Sequence, residues 1–106
     1  MGMRYTKLSE SEISGLSASL PGWTRLHGRP AIGRSFTFKS FREAFAFMTE
    51  VALWAEKTDH HPEWTNVWNR VDIVLTTHAA HALTTHDTQL AERIDEAAAR
   101  FSQAGA

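Results

Sequence analysis

Trp64-Thr65-Asn66-Val67-Trp68-Asn69-Arg70-Val71-Asp72-Ile73-Val74-Leu75-Thr76-Thr77-His78 is the stretch whose reading decides the fold. It is strand-like throughout, and a hairpin suits it better than one long strand. Asn69-Arg70 is the candidate two-residue turn, because Asn tolerates positive φ, although Gly is preferred at the second position. That turn sets Trp68 against Val71, Asn66 against Ile73 and Trp64 against Leu75. This face is apolar apart from Asn66. The other face pairs Val67 with Asp72, Thr65 with Val74 and Glu63 with Thr76, and it is mostly polar. A register that separates core from solvent in this way is the one a half-buried hairpin needs.

Working outward, Trp23 to His27 and Ile32 to Phe38 read as two further strands, joined by a bend at Gly28-Arg29-Pro30-Ala31. Ile32, Arg34, Phe36 and Phe38 share a face, and Phe36 and Phe38 are expected in the core. Ser9 and Glu12 have capping-box spacing and open a first helix carrying Ile13, Leu16 and Leu20. Gly15 weakens this helix and Pro21-Gly22 stops it. Ser40 and Glu43 open a second helix with two apolar stripes. Phe41, Phe45, Met48, Ala52 and Ala55 form one. Phe47, Val51 and Trp54 form the other, which is either a subunit interface or a side covered by the chain itself. Thr84, with Asp87 three residues on, opens a last helix that buries Leu90, Ile94, Ala97, Ala98 and Phe101. The order α-β-β-α-β-β-α gives an α+β fold, a four-stranded antiparallel sheet with three helices on one face.

Bulk properties narrow the function classes. Residues 1–106 are short enough for a single domain that oligomerisation would help to stabilise. A net charge of −1, with both signs interspersed, argues against holding nucleic acid by phosphate neutralisation. The sequence has no cysteine, so disulfides and thiolate metal sites are excluded and a reducing, cytoplasmic setting is compatible. Met1 to Glu10 carry no apolar run of the kind a secretory signal needs, and no stretch approaches the ~20 apolar residues of a membrane span. Met1, Gly2 and Thr6 match the N-myristoylation pattern, which is short enough for chance to supply it.

The chain has 6 histidines and 4 tryptophans, so the placement of its rings is the main functional clue. In the hairpin register above, His61 stands opposite His78, just beyond the paired segment, where Pro62 ends the ladder. His60 adjoins His61 as the chain leaves the second helix. Three imidazoles then meet at one sheet edge. Such a cluster offers a proton donor and an acceptor near neutrality, because each proton held disfavours the next. Glu56, one helical turn before His60, can orient or charge an imidazole, and Trp64 can offer a flat surface to a flat substrate. Asp87 reads as a helix cap, and His27, His81 and His86 as solvated. A zinc site with three histidine ligands is a second reading, although adjacent His60 and His61 normally point in different directions.

The run Glu56-Lys57-x-x-His60-His61-Pro62-x-Trp64-x-x-Val67-Trp68-Asn69-x-Val71-x-Ile73-x-Leu75-x-Thr77-His78 resembles the signature of the pterin-4a-carbinolamine dehydratases. The likeness continues through Leu83-Thr84-x-x-Asp87-x-x-Leu90-Ala91 and, upstream, Leu20-Pro21-Gly22-Trp23 and Phe36-x-Phe38, so it covers nearly the whole chain. The resemblance implies dehydration of 4a-hydroxytetrahydropterin to quinonoid dihydropterin, in recycling of tetrahydrobiopterin. It implies no metal and no cofactor, and a homodimer or homotetramer. His60, His61 and His78 carry over as the catalytic set. Glu56 and, more weakly, Asp87 carry over as supporting residues, beside Pro62 and Trp64. Any of the three imidazoles could be the acid; His61 or His78 suits proton transfer, with His60 positioning the pterin. Two departures stand out: Ala80-His81-Ala82-Leu83 lacks a glycine common in the family, and His86 replaces a commonly charged residue.

Animal members of this family also serve as dimerisation cofactors of a transcription factor. A protein-binding module working through the second helix is therefore the rival class. The complete histidine set favours catalysis, since an adaptor has no use for it.

Overall fold

A computed structural model describes residues 5–101; Met1 and Gly2 of the acylation pattern, and both ends of the expected 1–106 domain, lie outside it. The elements are α1 (Glu10–Ser14), α2 (Leu16–Ser19), β1 (Thr24–Arg25), β2 (Ile32–Thr37), α3 (Phe41–Thr58), β3 (Glu63–Val67), β4 (Arg70–Leu75), a 3-10 turn (His78–Ala80) and α4 (Thr85–Ala99). The first helical segment is broken at Gly15 into α1 and α2. Ser9 and Glu12 form the expected reciprocal capping box at its start. The first strand is shorter than its pattern suggested, pairing with β2 only at Thr24 and Arg25. All pairings are antiparallel, in the order β1-β2-β4-β3.

The helices lie on one face of this sheet. Ile32, Phe36 and Phe38 of β2 and its extension, with Val71, Ile73 and Leu75 of β4, share one core with Ala44, Phe47 and Val51 of α3 and Leu90, Ile94 and Ala98 of α4. The opposite sheet face carries exposed Ser35, Thr37, Thr65 and Val67. No helix among the described residues is long and apolar enough to cross a membrane.

The hairpin turns one residue earlier than the sequence suggested, which shifts its cross-strand pairing by two. Val67 faces Arg70, Asn66 faces Val71 and Trp64 faces Ile73, so Trp68-Asn69 forms the turn. The reason is a long-range contact. Asn69 continues β4 along β2, accepting the Phe38 N–H at 2.8 Å and donating its amide to the Phe38 carbonyl at 2.7 Å. That leaves Trp68 to take the positive φ of 51°. Because the slip is two residues, every paired side chain keeps the face predicted for it, and only Trp68 leaves the apolar face for the turn. His61 and His78, however, are not cross-strand partners. The strand ends at Leu75, and His78 opens the 3-10 turn.

Of the two readings of the Phe47, Val51 and Trp54 stripe, coverage by the chain itself holds. Phe47 and Val51 are buried against the sheet with Ala44 and Ala55, and Trp54 packs half-buried beside them. The stripe suggested as an interface is thus the core side. Phe41 and Phe45 remain 50% and 56% exposed on the other. At the start of α3, Ser40 accepts the Glu43 N–H, but the Glu43 carboxylate does not return the bond.

Candidate functional site

The C-terminus of α3 sets the histidine pair apart. Asp59 adopts the left-handed region at φ 53°, ψ 41°, where Asp is tolerated better than most residues. Its N–H reaches the Glu56 carbonyl at 3.3 Å, and the His60 N–H reaches back to Ala55 at 3.0 Å. These two bonds make a Schellman ending. The reversal sends His60 inward and His61 outward, and Pro62 then leads into β3. His60 is 6% exposed, whereas the His61 side chain is 55% exposed.

Each imidazole meets a different carboxylate at Nε2. His60 meets Asp87 Oδ1 at 2.6 Å, His61 meets Glu56 Oε1 at 3.0 Å and His78 meets Glu63 Oε2 at 2.7 Å. Asp87, fully buried, does two jobs at once. Its other oxygen caps α4 by accepting the Thr84 N–H at 2.9 Å and also accepts the Thr77 hydroxyl at 2.8 Å. The proton of Thr77 is thereby used, so the 2.8 Å contact between Thr77 and Thr84 is donated by Thr84. Asp87 is therefore both the helix cap expected of it and the partner of His60. Glu56, which helical spacing set one turn before His60, meets His61 instead.

Glu63 was absent from the sequence-based set. Arg29 grips it with both guanidinium nitrogens, at 3.0 and 2.7 Å. Hydrogen bonds from Arg29 and then from His78 pull the Glu63 carboxyl down to about 2. Its signal lay in the sequence as an acidic residue two positions after His61, but without the true register nothing connected it to His78.

The remaining predicted residues are distributed as follows. Trp64 is half-buried and packs on the core cluster. Pro62 is half-buried ahead of β3. His27 and His81 are exposed as expected, but His86 is not solvated. Its ring lies 5.5 Å from that of His60 and 4.9 Å from Tyr5, and its Nδ1 is buried without a hydrogen-bond partner among the described residues. A groove of about 260 Å³ between α3 and α4 is lined by Trp54, Thr58, His86, Leu90 and Arg93. It reaches the histidine cluster only through His86; His61 and His78 stand on open surface outside it. The three-histidine metal set does not form, since among the described residues no three histidine, aspartate or glutamate side chains are grouped to hold an ion.

A model of the family described as pterin 4 alpha carbinolamine dehydratase matches residues 6–97. The chain belongs to this family. A Rhizobium rhizogenes protein provisionally named a pterin-4-alpha-carbinolamine dehydratase is 53% identical over 98 residues, covering 92% of this chain and 97% of its own. The crystal structure of a transcriptional coactivator/pterin dehydratase from Brucella melitensis superposes with a TM-score of 0.84 at 47% identity, over 88% of this chain and 99% of that one. A pterin dehydratase-like protein identified as a RuBisCO assembly factor in the alpha-carboxysome has a TM-score of 0.65 at 26% identity, over 73% of this chain and 89% of that one. The descriptions of these two structures thus include a transcriptional coactivator and a RuBisCO assembly factor.

Proposed function

We propose that this chain dehydrates 4a-hydroxytetrahydropterin to quinonoid dihydropterin by histidine acid–base catalysis, as a cytoplasmic enzyme of tetrahydrobiopterin recycling. The observation that carries the reading is the set of three carboxylate-held imidazoles, His60–Asp87, His61–Glu56 and His78–Glu63. Hydroxide is a poor leaving group, so an imidazolium protonates the 4a-oxygen and water departs. A neutral imidazole takes the proton from N5. Positioned groups of this kind supply about 10²–10⁴-fold in rate. His61 and His78 are the exposed pair and suit these transfers, whereas buried His60 suits the positioning of the pterin and of its neighbours.

The test is to generate 4a-hydroxytetrahydropterin in situ and follow its loss by absorbance. The chain should accelerate the spontaneous reaction, and His61→Ala or His78→Ala should remove most of the acceleration. No acceleration by the wild type refutes the reading, and full activity in both variants refutes the site.

A second reading has its own support. The exposed Phe41 and Phe45 on α3 offer an apolar surface to a second copy of the chain or to another protein, and the Brucella relative is described as a coactivator as well as a dehydratase. Homo-oligomerisation through α3 belongs to this reading. It uses a different face from the histidines and is compatible with catalysis.

A further inference from the structure

We infer that Arg29 and Glu63 are positioning residues for His78, fixing its Nε2 as the protonated nitrogen and leaving Nδ1 as the atom that meets substrate. The inference rests on the dehydratase reading for its use in catalysis, but its geometry stands separately. Glu63 Oε2 is shared: it accepts from Arg29 Nη2 at 2.7 Å and from His78 Nε2 at 2.7 Å, while Oε1 accepts from Arg29 Nη1 at 3.0 Å. A carboxylate in its ionised form accepts only, so the shared proton belongs to His78 Nε2. With its carboxyl near 2, Glu63 stays ionised across any working pH. A neutral His78 ring then has its lone pair at Nδ1.

The loop that carries Arg29 is built to hold it there. Gly28 takes φ 77°, a conformation open to glycine, and Pro30 restricts the backbone two residues on. Thr76 donates its hydroxyl to the Pro30 carbonyl at 2.6 Å, and the Ala31 carbonyl accepts the Leu26 N–H at 2.9 Å. Thr76 is the second residue before His78. The loop bearing Arg29 and the turn bearing His78 are therefore both fastened at the end of β4, and Glu63, opposite Val74, begins the neighbouring strand. Three chain segments converge on one carboxylate. Arg29 and His78 are the charged or titratable groups that contact Glu63 among the described residues.

The other exposed pair lacks this support. Glu56 side-chain exposure is 83%, and its bond to His61 has no second anchor among the described residues. A bidentate guanidinium fork restricts a carboxylate in direction as well as in distance. Of the two exposed imidazoles, His78 is thus the one whose orientation is set before substrate arrives.

The experiment is a double-mutant cycle on the full chain, with the ring ¹⁵N spectrum of His78 as an independent readout. Glu63→Ala should lower kcat roughly 3- to 5-fold, the scale of a half-exposed ion pair, and should have no further effect in a His78→Ala background. Arg29→Met should lower kcat less, and not at all once Glu63 is Ala. In the spectrum, at a pH where the imidazole is neutral, Glu63→Ala should raise the Nδ1-protonated fraction. Circular dichroism confirms that each variant folds. Independent, multiplying effects of Glu63→Ala and His78→Ala overturn the inference, as does an unchanged ring spectrum in Glu63→Ala. A wild type without acceleration removes the dehydratase reading and leaves the ring spectrum to decide the His78 geometry, so the two failures are distinguishable.

Discussion

Replacing Asp87 separates charge from hydrogen bonding at the most buried point of the site. Its carboxylate, fully buried, accepts from His60, Thr77 and the Thr84 N–H. Asp87→Ala leaves three buried donors without a partner and removes a helix cap. Each orphaned donor costs ~1–3 kcal/mol and the cap ~1 kcal/mol, with partial relief from relaxation. The expected loss is about 3–5 kcal/mol, a large share of the ~5–15 kcal/mol that holds a small domain together. At a urea slope of ~1.5–2 kcal/mol per molar, the unfolding midpoint falls by roughly 2 M. Asp87→Asn should behave differently. The Asn oxygen can keep both Thr77 and Thr84, which share one carboxylate oxygen in the native site. Its amide nitrogen then faces His60 Nε2 as a donor, and the ring must move its proton to Nδ1 to accept. All the old contacts survive with the tautomer inverted, at a cost of about 1 kcal/mol. Urea titration and the His60 ring ¹⁵N spectrum read both quantities. An Asp87→Ala protein within ~1 kcal/mol of wild type, or an Asp87→Asn protein as damaged as the alanine variant, refutes this account of the network.

Four further outcomes are expected. Gly15 is right-handed helical at φ −76°, ψ −10°, and a Cβ there meets carbonyl oxygens at an ordinary 3.5 Å; Gly15→Ala should therefore stabilise by ~0.5–1 kcal/mol, seen as a Tm a few degrees higher. Trp68 holds a positive φ at a turn while 67% exposed, so Trp68→Gly should raise stability by ~1 kcal/mol in chemical denaturation; a loss would show that the indole makes contacts that outweigh the strain. Glu63 has its carboxyl lowered from 4.5 to about 2, so its contribution to stability is complete above pH about 4.5 and disappears as pH falls through about 2; the stability gap between wild type and Glu63→Gln should be flat above that window and change within it. Phe45→Glu places a charge on the exposed face of α3 and should shift the proposed oligomer toward monomer in light scattering while leaving the helical circular dichroism intact; an unchanged assembly counts against α3 as the interface.

The fold was legible where it depends on local alternation. The faces of β2, β3 and β4 follow from period-two patterning, and the caps at Ser9, Ser40 and Thr84 follow from side-chain chemistry within one turn of helix. The hairpin register was not legible, because a contact between Asn69 and Phe38, far apart in sequence, decides it. The two stripes of α3 could not be ranked for the same reason: which one meets the sheet depends on the entry angle at Ser40. In the site, Glu56 was visible as a carboxylate one helical turn before His60, but which imidazole it meets was not, because the reversal at Asp59 turns His60 inward and leaves His61 to Glu56. The partners of His60 and His78 come from α4 and from β3. Finding them requires the tertiary arrangement, and Arg29 carried no mark beyond its place in a bend.

The differing burial of the three pairs bears on how the proposed reaction resets itself. One imidazole gives a proton to the 4a-oxygen and another takes one from N5, so each turnover leaves the two rings with exchanged protonation states. They must recover before the next substrate binds. His61 and His78 are open to water, at 55% and 75% side-chain exposure, and can recover by exchange with solvent. His60 is enclosed, and its Nε2 is committed to Asp87 at 2.6 Å, within a network that also fastens α4. Moving a proton through that network would disturb a helix cap on every cycle. The geometry therefore favours the exposed rings as the proton-transfer pair and His60 as the fixed support. On this reading His60→Ala should weaken pterin binding and stability together, whereas His78→Ala should lower kcat with the fold intact. Comparable kcat losses in the two, with unchanged stability and KM in His60→Ala, would place His60 among the groups that move protons.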